Sequence, residues 1–387
     1  MDCFVHVRFA RGSGCTHKLR YMFDRIDKPL LITVLILLVS GLVIFGSAAL
    51  GVLASNEVKF FAIIKTQLVY ALLGGGLALC LGLLIPYGLY KKYAYVLFGS
   101  ALVFTSLVFV PGLSRYHGGA HRWIDIGPFS LQPSESLKFA FVVFVAYWCT
   151  YYRSYFKDWK YGFLPYIASL ALVSLILLAQ PDFGTYMVVV GASFITYFIG
   201  GARKKHLKYM ALCGLVGFLI LIFARPYMLE RVKTFFNNTH DPRGSSWQLN
   251  QSLISLGSGG LFGRGLGQSV QKFNYLPEPI GDSIFAVLGE ELGFFGAMYL
   301  LLLYAIVSIR GYVIAKTAGD QFGRLLASGI VSIILIQSTI NIASMLGMLP
   351  LTGVPLPLVS HGGTALMVSL FQFGVLLNIS KSSTNYL

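Results

Sequence analysis

Asp282 and Glu290 stand eight residues apart at the start of an apolar run, so on a helix they lie only about 80° apart around the axis. At the mouth of an outward cavity, a carboxylate at Asp282 can act as a general base. The plain structural role is equally open: Ser283 begins the run SIFAVLG, and an acid just ahead of a helix is favoured by the macrodipole. Glu291 points away from this pair. An ionisable group at membrane depth costs several kcal/mol unless it meets a partner or water, so Glu290 and Glu291 need either salt-bridged neighbours or a polar cavity.

A second constellation lies in the segment GAHRWIDIGPFSLQPSESLK ending at Lys138. Glu135 and Lys138 are spaced i,i+3 on the first turn of a helix, with Arg122 on the preceding loop. Two readings stand about even. The pair is an intrahelical ion bridge, worth little at a surface, or Lys138 and Arg122 together cradle a diphosphate, one as a point charge and one as a bidentate fork.

Other patterns point to packing. Ser258 to Gly267 (SGGLFGRGLG) is rich in glycine, but it matches neither GxGxxG nor GxxxxGK[ST], so close approach of backbones explains it better than a nucleotide. Gln337, Asn341 and Ser344 form a polar stripe at helical spacing, most simply interhelical glue, with a cavity lining as the alternative. His361, beside Gly362 and Gly363, is a loop histidine that can be a ligand or an acid and more often is neither. No HExxH or comparable metal pattern occurs, and cysteines 3, 15, 80, 149 and 213 form no CxxC. Asn237 and Asn250 sit in glycosylation sequons, which matter only in a eukaryotic lumen.

These residues need membrane helices to position them. Of 387 residues, 56% are apolar and 12% charged, with mean hydropathy +0.71, which excludes a soluble globule. The fold expected is an all-α polytopic membrane protein with ten transmembrane helices, beginning near Pro29, Lys65, Tyr93, Glu135, Phe163, Thr185, Lys208, Ser283, Leu325 and Thr364. A large extracytoplasmic loop, residues 225–282, separates helices 7 and 8 and carries enough apolar and aromatic residues to be packed. The net charge of +15 fits basic cytoplasmic loops rather than nucleic-acid binding. Residues 1–28 carry six basic side chains and no continuous apolar stretch, so they read as a basic cytoplasmic tail rather than a signal peptide. The membrane domain then runs 29–380, and 381–387 is a cytoplasmic C-terminal tail. Nine of the 15 acids (Asp125, Glu135, Asp182, Glu230, Asp241, Glu278, Asp282, Glu290, Glu291) fall in outward segments or the adjacent helical turns, which places the chemistry at 113–134, 180–184, 225–282 and 350–363.

Together these outward segments resemble the SEDS family (shape, elongation, division and sporulation) of peptidoglycan polymerases. The resemblance spans about residues 30 to 380 and rests on HRWIDIGPFSLQPSESLK, QPDFGT, DPRGSSWQLNQSLISLGSGGLFGRGLGQSVQKFNYLPEP, GDSIFAVLGEELG and LPLTGVPLPLVSHGGT. QSVQKFNYLPEP and GEELGFFG are more similar to the division-type branch, FtsW, than to the elongation-type branch, RodA. Two departures stand out. Ile280-Gly281 precede the acid where the family usually has His-Thr, and His361 replaces a usual Tyr. Residues 1–28 lie outside the resemblance, with Met22 an alternative start.

The resemblance implies an inverting glycosyltransferase that polymerises lipid II at the septum, releasing polyprenyl diphosphate. Asp282 then takes the proton from the acceptor 4-hydroxyl. Arg122 and Lys138 stabilise the diphosphate, and Glu135, Glu278 and Glu290 orient these groups or the sugar. No cofactor is required, though a divalent cation, Mg or Mn, can assist the leaving group. The implied partners are a class B penicillin-binding transpeptidase and other divisome membrane proteins, in the bacterial cytoplasmic membrane with both termini inside. A lipid II flippase is the rival reading, since charges at membrane depth suit transporters too; the one-sided acids and the absence of a visible inverted repeat favour the enzyme. A pure scaffold is a third reading, under which the outward acids are dispensable.

Overall fold

The structure, a computed structural model, describes residues 26–382 apart from 55, 118–119, 127–128, 156–157, 204, 207, 211, 213, 215–230, 232, 234 and 236–244. Nearly all of the basic tail, most of the seventh apolar run, Glu230, Asp241, the Asn237 sequon and the last five residues lie outside the described set. The molecule is a multi-pass helical bundle. Among the described residues six helices are long and apolar enough to cross a membrane: Lys28–Leu53, Glu57–Leu84, Trp159–Ala179, Ile284–Thr317, Gln321–Met345 and Gly363–Ser380. Shorter apolar helices span Ala94–Phe109 and Phe183–Ile199, and Pro133–Tyr151 forms a further helix.

Pro133–Tyr151 and Gln321–Met345 are buried on nearly every face, as expected of helices that are apolar all round. Lys28–Leu53, by contrast, leaves Ile32, Val39 and Val43 exposed, which is the face a bilayer covers. The second helix starts at Glu57, eight residues before the expected Lys65, because the Asn56 side chain accepts from the Lys59 amide at 2.8 Å and caps it there.

One feature departs from the all-α expectation, and a second refines the expected outward loop. Residues 114–131 form a three-stranded antiparallel sheet, β1 Ser114–His117, β2 Ala120–Ile126 and β3 Phe129–Leu131, so Arg122 sits on a strand and not on a loop. Ile124 pairs with Ser114 and Leu131 and is 5% exposed, the inward member of a period-two alternation that the short length of the segment conceals. The long outward segment is likewise no plain loop, because Ser245–Gly259 is a helix.

The helix from Ile284 to Thr317 breaks at Gly293, whose φ is 65° and ψ −160°. The glycine-rich segment fills the break. Arg264 and Gly265 donate their amides to the Glu290 and Glu291 carbonyls at 3.0 and 2.9 Å, and Phe294 and Phe295 donate theirs to the carbonyls of Gly260 and Leu261. Backbone freed by a helix break inside a membrane protein has to be satisfied by protein. Gly263 is needed here: its φ is 79°, and a Cβ would lie 2.1 Å from the Glu291 carbonyl oxygen. The packing reading of SGGLFGRGLG therefore holds.

Candidate active site

Asp282 ends a turn set by Glu278, whose backbone takes φ 46° and whose carbonyl accepts from the amides of Gly281 and Ser283. The Asp282 carboxylate is half-buried. Gln248, on the Ser245–Gly259 helix, donates its amide to both Asp282 oxygens at 3.2 Å and to Ser283 Oγ at 3.0 Å. Burial pushes the Asp282 carboxyl up from 3.8 to about 6; the Gln248 hydrogen bond lowers it, the Glu278 charge raises it and the Arg231 charge lowers it. A carboxylate poised near 6 is mostly ionised at neutral pH yet basic enough to accept a proton.

Asn341 fixes the backbone beneath it, donating to the Asp282 carbonyl and the Val354 carbonyl, both at 2.8 Å. One turn earlier on the same helix, Gln337 donates to the Pro355 carbonyl at 2.9 Å and accepts from Lys138 Nζ at 2.6 Å. Residues i and i+4 are neighbours on a helix surface, so the stripe places the Lys138 ammonium and the Asp282 backbone about one turn apart over residues 354–355. Lys138 also donates to Glu135 at 2.8 Å, and both side chains are buried. The intrahelical ion pair of Glu135 and Lys138 is thus formed, and Gln337 shares the ammonium.

Arg122 reaches from β2 to the carbonyls of Gln180 and Pro181, the turn that precedes Asp182. Asp182 accepts from Ser134 Oγ at 3.1 Å, from Gln132 at 3.4 Å and from the Thr185 amide at 3.3 Å. Thr364 Oγ1 bridges the Ser130 carbonyl and the Gln132 amide at 3.2 Å each. Gly184 packs on Thr352, where a Cβ would stand 2.9 Å from the Thr352 carbonyl oxygen, and Arg231 donates to the Leu351 carbonyl. Residues 351–355 are thus the hub on which the Asp282 turn, Lys138 with Gln337, and the Arg122 and Asp182 turn all bear.

Glu290 has a separate place. It is fully buried and accepts from Ser269 Oγ at 2.6 Å, Ser255 Oγ at 3.0 Å and the amides of Val270 and Gln271 at 2.9 and 3.3 Å, with Arg264 3.4 Å away. Glu291 turns to the other side, pairing with Lys272 at 2.6 Å and with Ser47. Both acids lock the glycine-rich segment to the broken helix, in line with the salt-bridged packing reading. Glu278 is exposed and acts on Asp282 through its charge and its turn. His361 donates its backbone amide to the Ile280 carbonyl at 2.7 Å, stacks on Phe45 and meets Gln67 at 3.1 Å; burial lowers its pKa. Among the described residues no three His, Cys, Asp or Glu side chains converge on a metal position.

Reading the sequence alone misses Gln248 and Arg231. Gln248 lies 34 residues from the acid it holds, and its only local signal is the apolar and polar alternation of WQLNQSLISL, which is helical in period.

Residues 28–385 match the cell cycle protein family FtsW/RodA/SpoVE. Stage V sporulation protein E of Bacillus subtilis (strain 168) is 40% identical over 360 residues, covering 92% of this chain and 97% of the relative. The probable peptidoglycan glycosyltransferase FtsW of Trichlorobacter lovleyi is 37% identical over 358 residues, covering 92% and 93%. Among solved structures, a component of a peptidoglycan synthase complex that coordinates polymerization and crosslinking superposes with a TM-score of 0.75 at 28% identity, covering 92% of this chain and 97% of that one. The rod shape determining protein RodA of Thermus thermophilus superposes at 0.65 with 28% identity, covering 93% and 98%. With the match running almost end to end and the helical bundle shared, the chain belongs to the FtsW/RodA/SpoVE family of cell cycle proteins.

Proposed function

We propose that this chain is a peptidoglycan glycosyltransferase of the bacterial cytoplasmic membrane that polymerises lipid II, with Asp282 as its base. The observation that carries the reading is the Asp282 carboxylate itself: half-buried, held by one amide from Gln248 and raised to about 6. Relatives named as probable peptidoglycan glycosyltransferases support it. In this reading the fold has ten transmembrane helices, the seventh falling in the largely undescribed stretch, with the 225–282 segment extracytoplasmic and both termini cytoplasmic.

The chemistry is a single inverting displacement. The acceptor 4-hydroxyl gives its proton to Asp282 as its oxygen bonds to the anomeric carbon, the bond from that carbon to the diphosphate oxygen breaks, and polyprenyl diphosphate leaves with the electron pair. A diphosphate departs without a protonated acid, so one carboxylate suffices, unlike the pair that glycoside hydrolysis needs. Arg122 and Lys138 stabilise the departing charge as fixed electrostatics; for this Lys138 exchanges Glu135 or Gln337 for the phosphate. Glu135 holds the ammonium until then, Glu278 tunes the base, and Glu290 orients it by fixing the segment around it. The septal role follows the FtsW relatives. The partner is a class B penicillin-binding transpeptidase that crosslinks the glycan alongside other divisome membrane proteins.

The test is incubation of the purified chain and its cognate transpeptidase with labelled lipid II, resolving products on a gel. Wild type yields a glycan ladder and Asp282→Asn yields none, while both remain folded and bind the transpeptidase alike. A ladder of wild-type intensity from Asp282→Asn refutes the assignment of the base, and lipid II movement across proteoliposomes without any ladder favours the transporter.

A further inference from the structure

At the end of the Ile284–Thr317 helix far from Asp282, a cavity of about 540 Å³ opens between three chain turns. Its lining includes Arg153, which follows the Pro133–Tyr151 helix, Gly200 and Gly201, which end the Phe183–Ile199 helix, and Gly319 and Arg324 around the start of the Gln321–Met345 helix. Two arginines from separate elements thus line one concavity, and their guanidinium groups are the ones to compare. Neither makes a hydrogen bond or ion pair with a described residue, whereas Arg122, Arg231, Arg264 and Arg310 all do. Both arginines are exposed, so their charges are available to an anion that enters the cavity, and each attracts it.

The acid that also lines the cavity does not fill that role. Asp320 accepts through Oδ1 from the Gly323 amide at 3.1 Å and from Tyr87 Oη at 2.9 Å, so its charge is turned to the helix N-terminus it caps. The glycines leave the cavity floor as bare backbone, and a Cβ at Gly201 would meet nothing within 4 Å. Height in the bilayer narrows the ligand further. Tyr151, Tyr155 and Trp159 are exposed beside Arg153, the amphipathic belt that marks a membrane–water interface. Basic pockets between transmembrane helices at that level suit phosphate head groups.

We infer that the Arg153 and Arg324 cavity binds a phosphoester anion, the phosphodiester head group of an anionic membrane lipid, on the face of the protein opposite Asp282. The site is independent of the catalytic reading, since it shares no residue with the Asp282, Lys138 and Arg122 cluster.

Native mass spectrometry of the purified full chain tests it, with phosphatidylglycerol and phosphatidylethanolamine added in detergent. Wild type retains phosphatidylglycerol in preference, and Arg153→Gln with Arg324→Gln lowers that retention on the order of tenfold or more, from about one kcal/mol for each basic residue at a membrane surface. A Lys92→Gln control, removing an equal charge type elsewhere, leaves it unchanged, and Arg153→Lys with Arg324→Lys keeps most of it, which separates charge from misfolding. Glycerol phosphate, added without lipid, distinguishes the source: Arg-dependent retention of it identifies a soluble phosphoester, and retention of the lipid alone identifies the membrane. Equal retention of the two lipids by wild type, or a phosphatidylglycerol preference that survives the double Gln substitution in a folded variant, overturns the inference.

Discussion

Gln248→Leu removes the only side-chain hydrogen bonds that the described residues give the Asp282 carboxylate, and its effect can be worked through with its sign. Hydrogen bonds to a charged group contribute about 1.5–3 kcal/mol. Here one amide is shared between two oxygens at 3.2 Å, longer than a strong charge-assisted bond, so the low end applies, and about 1.5 kcal/mol is about one pKa unit. The lost bond favours the protonated acid, in the same direction as the burial that already holds Asp282 at about 6. The variant therefore titrates near 7. A base works only when ionised, so turnover falls as pH drops through these values, and at pH 6.5 wild type keeps roughly three quarters of its plateau and the variant roughly one quarter. The assay is kcat/KM for lipid II polymerisation from pH 5.5 to 8.5. Because the substrate's own titrations are common to both proteins, the difference between the two limbs isolates Asp282. A variant slowed equally at every pH, with its acidic limb unmoved, refutes the tuning of Asp282 by Gln248 and leaves only a structural contact.

Three further outcomes follow from the same geometry. Since the folded Asp282 carboxyl stands at about 6 against an ordinary 3.8, the ionised form costs stability above pH 6 and the cost fades as pH falls towards 3.8; Asp282→Asn should therefore stabilise the fold in detergent at pH 7.5 by up to about 3 kcal/mol, read as a raised thermal midpoint, with a smaller gain at pH 5, and a midpoint lowered at both values contradicts the burial cost. Lys138→Met strands the buried Glu135 carboxylate and should destabilise by about 3–5 kcal/mol, while Lys138→Met with Glu135→Gln should recover most of that stability and still fail to polymerise; wild-type turnover by the double variant removes Lys138 from diphosphate stabilisation. Gly263→Ala drives a Cβ into the Glu291 carbonyl from a left-handed backbone and should lower thermal stability sharply, whereas Gly257→Ala, in a helix with open space around it, should raise it by about 0.5–1 kcal/mol.

The membrane helices are legible in the sequence because a bilayer imposes length, and length survives without knowledge of contacts. Where that logic fails, the cause is local. Lys59 and Lys65 interrupt the apolar run before Leu68 and hide the Asn56 cap, and Ala120–Ile126 is too short for its alternation to stand out between glycines. Inside the outward cluster, charge type alone cannot separate structure from chemistry, since Glu290, Glu291, Asp182 and Asp282 all carry the same cost of leaving water. The distinction lies in how far each cost is offset. Glu290 takes two hydroxyls and two amides, Glu291 takes a hydroxyl and an ammonium, and Asp182 takes a hydroxyl, a side-chain amide and a backbone amide. An ionised carboxylate has about four lone-pair sites, and at Asp282 a single side-chain amide serves both oxygens. Of these four acids it alone is half-buried rather than buried. A carboxylate kept at a cost, incompletely paired and open on one side is the one with capacity left to take a proton, which is why Asp282 rather than its better-anchored neighbours is the group to which the reaction is assigned.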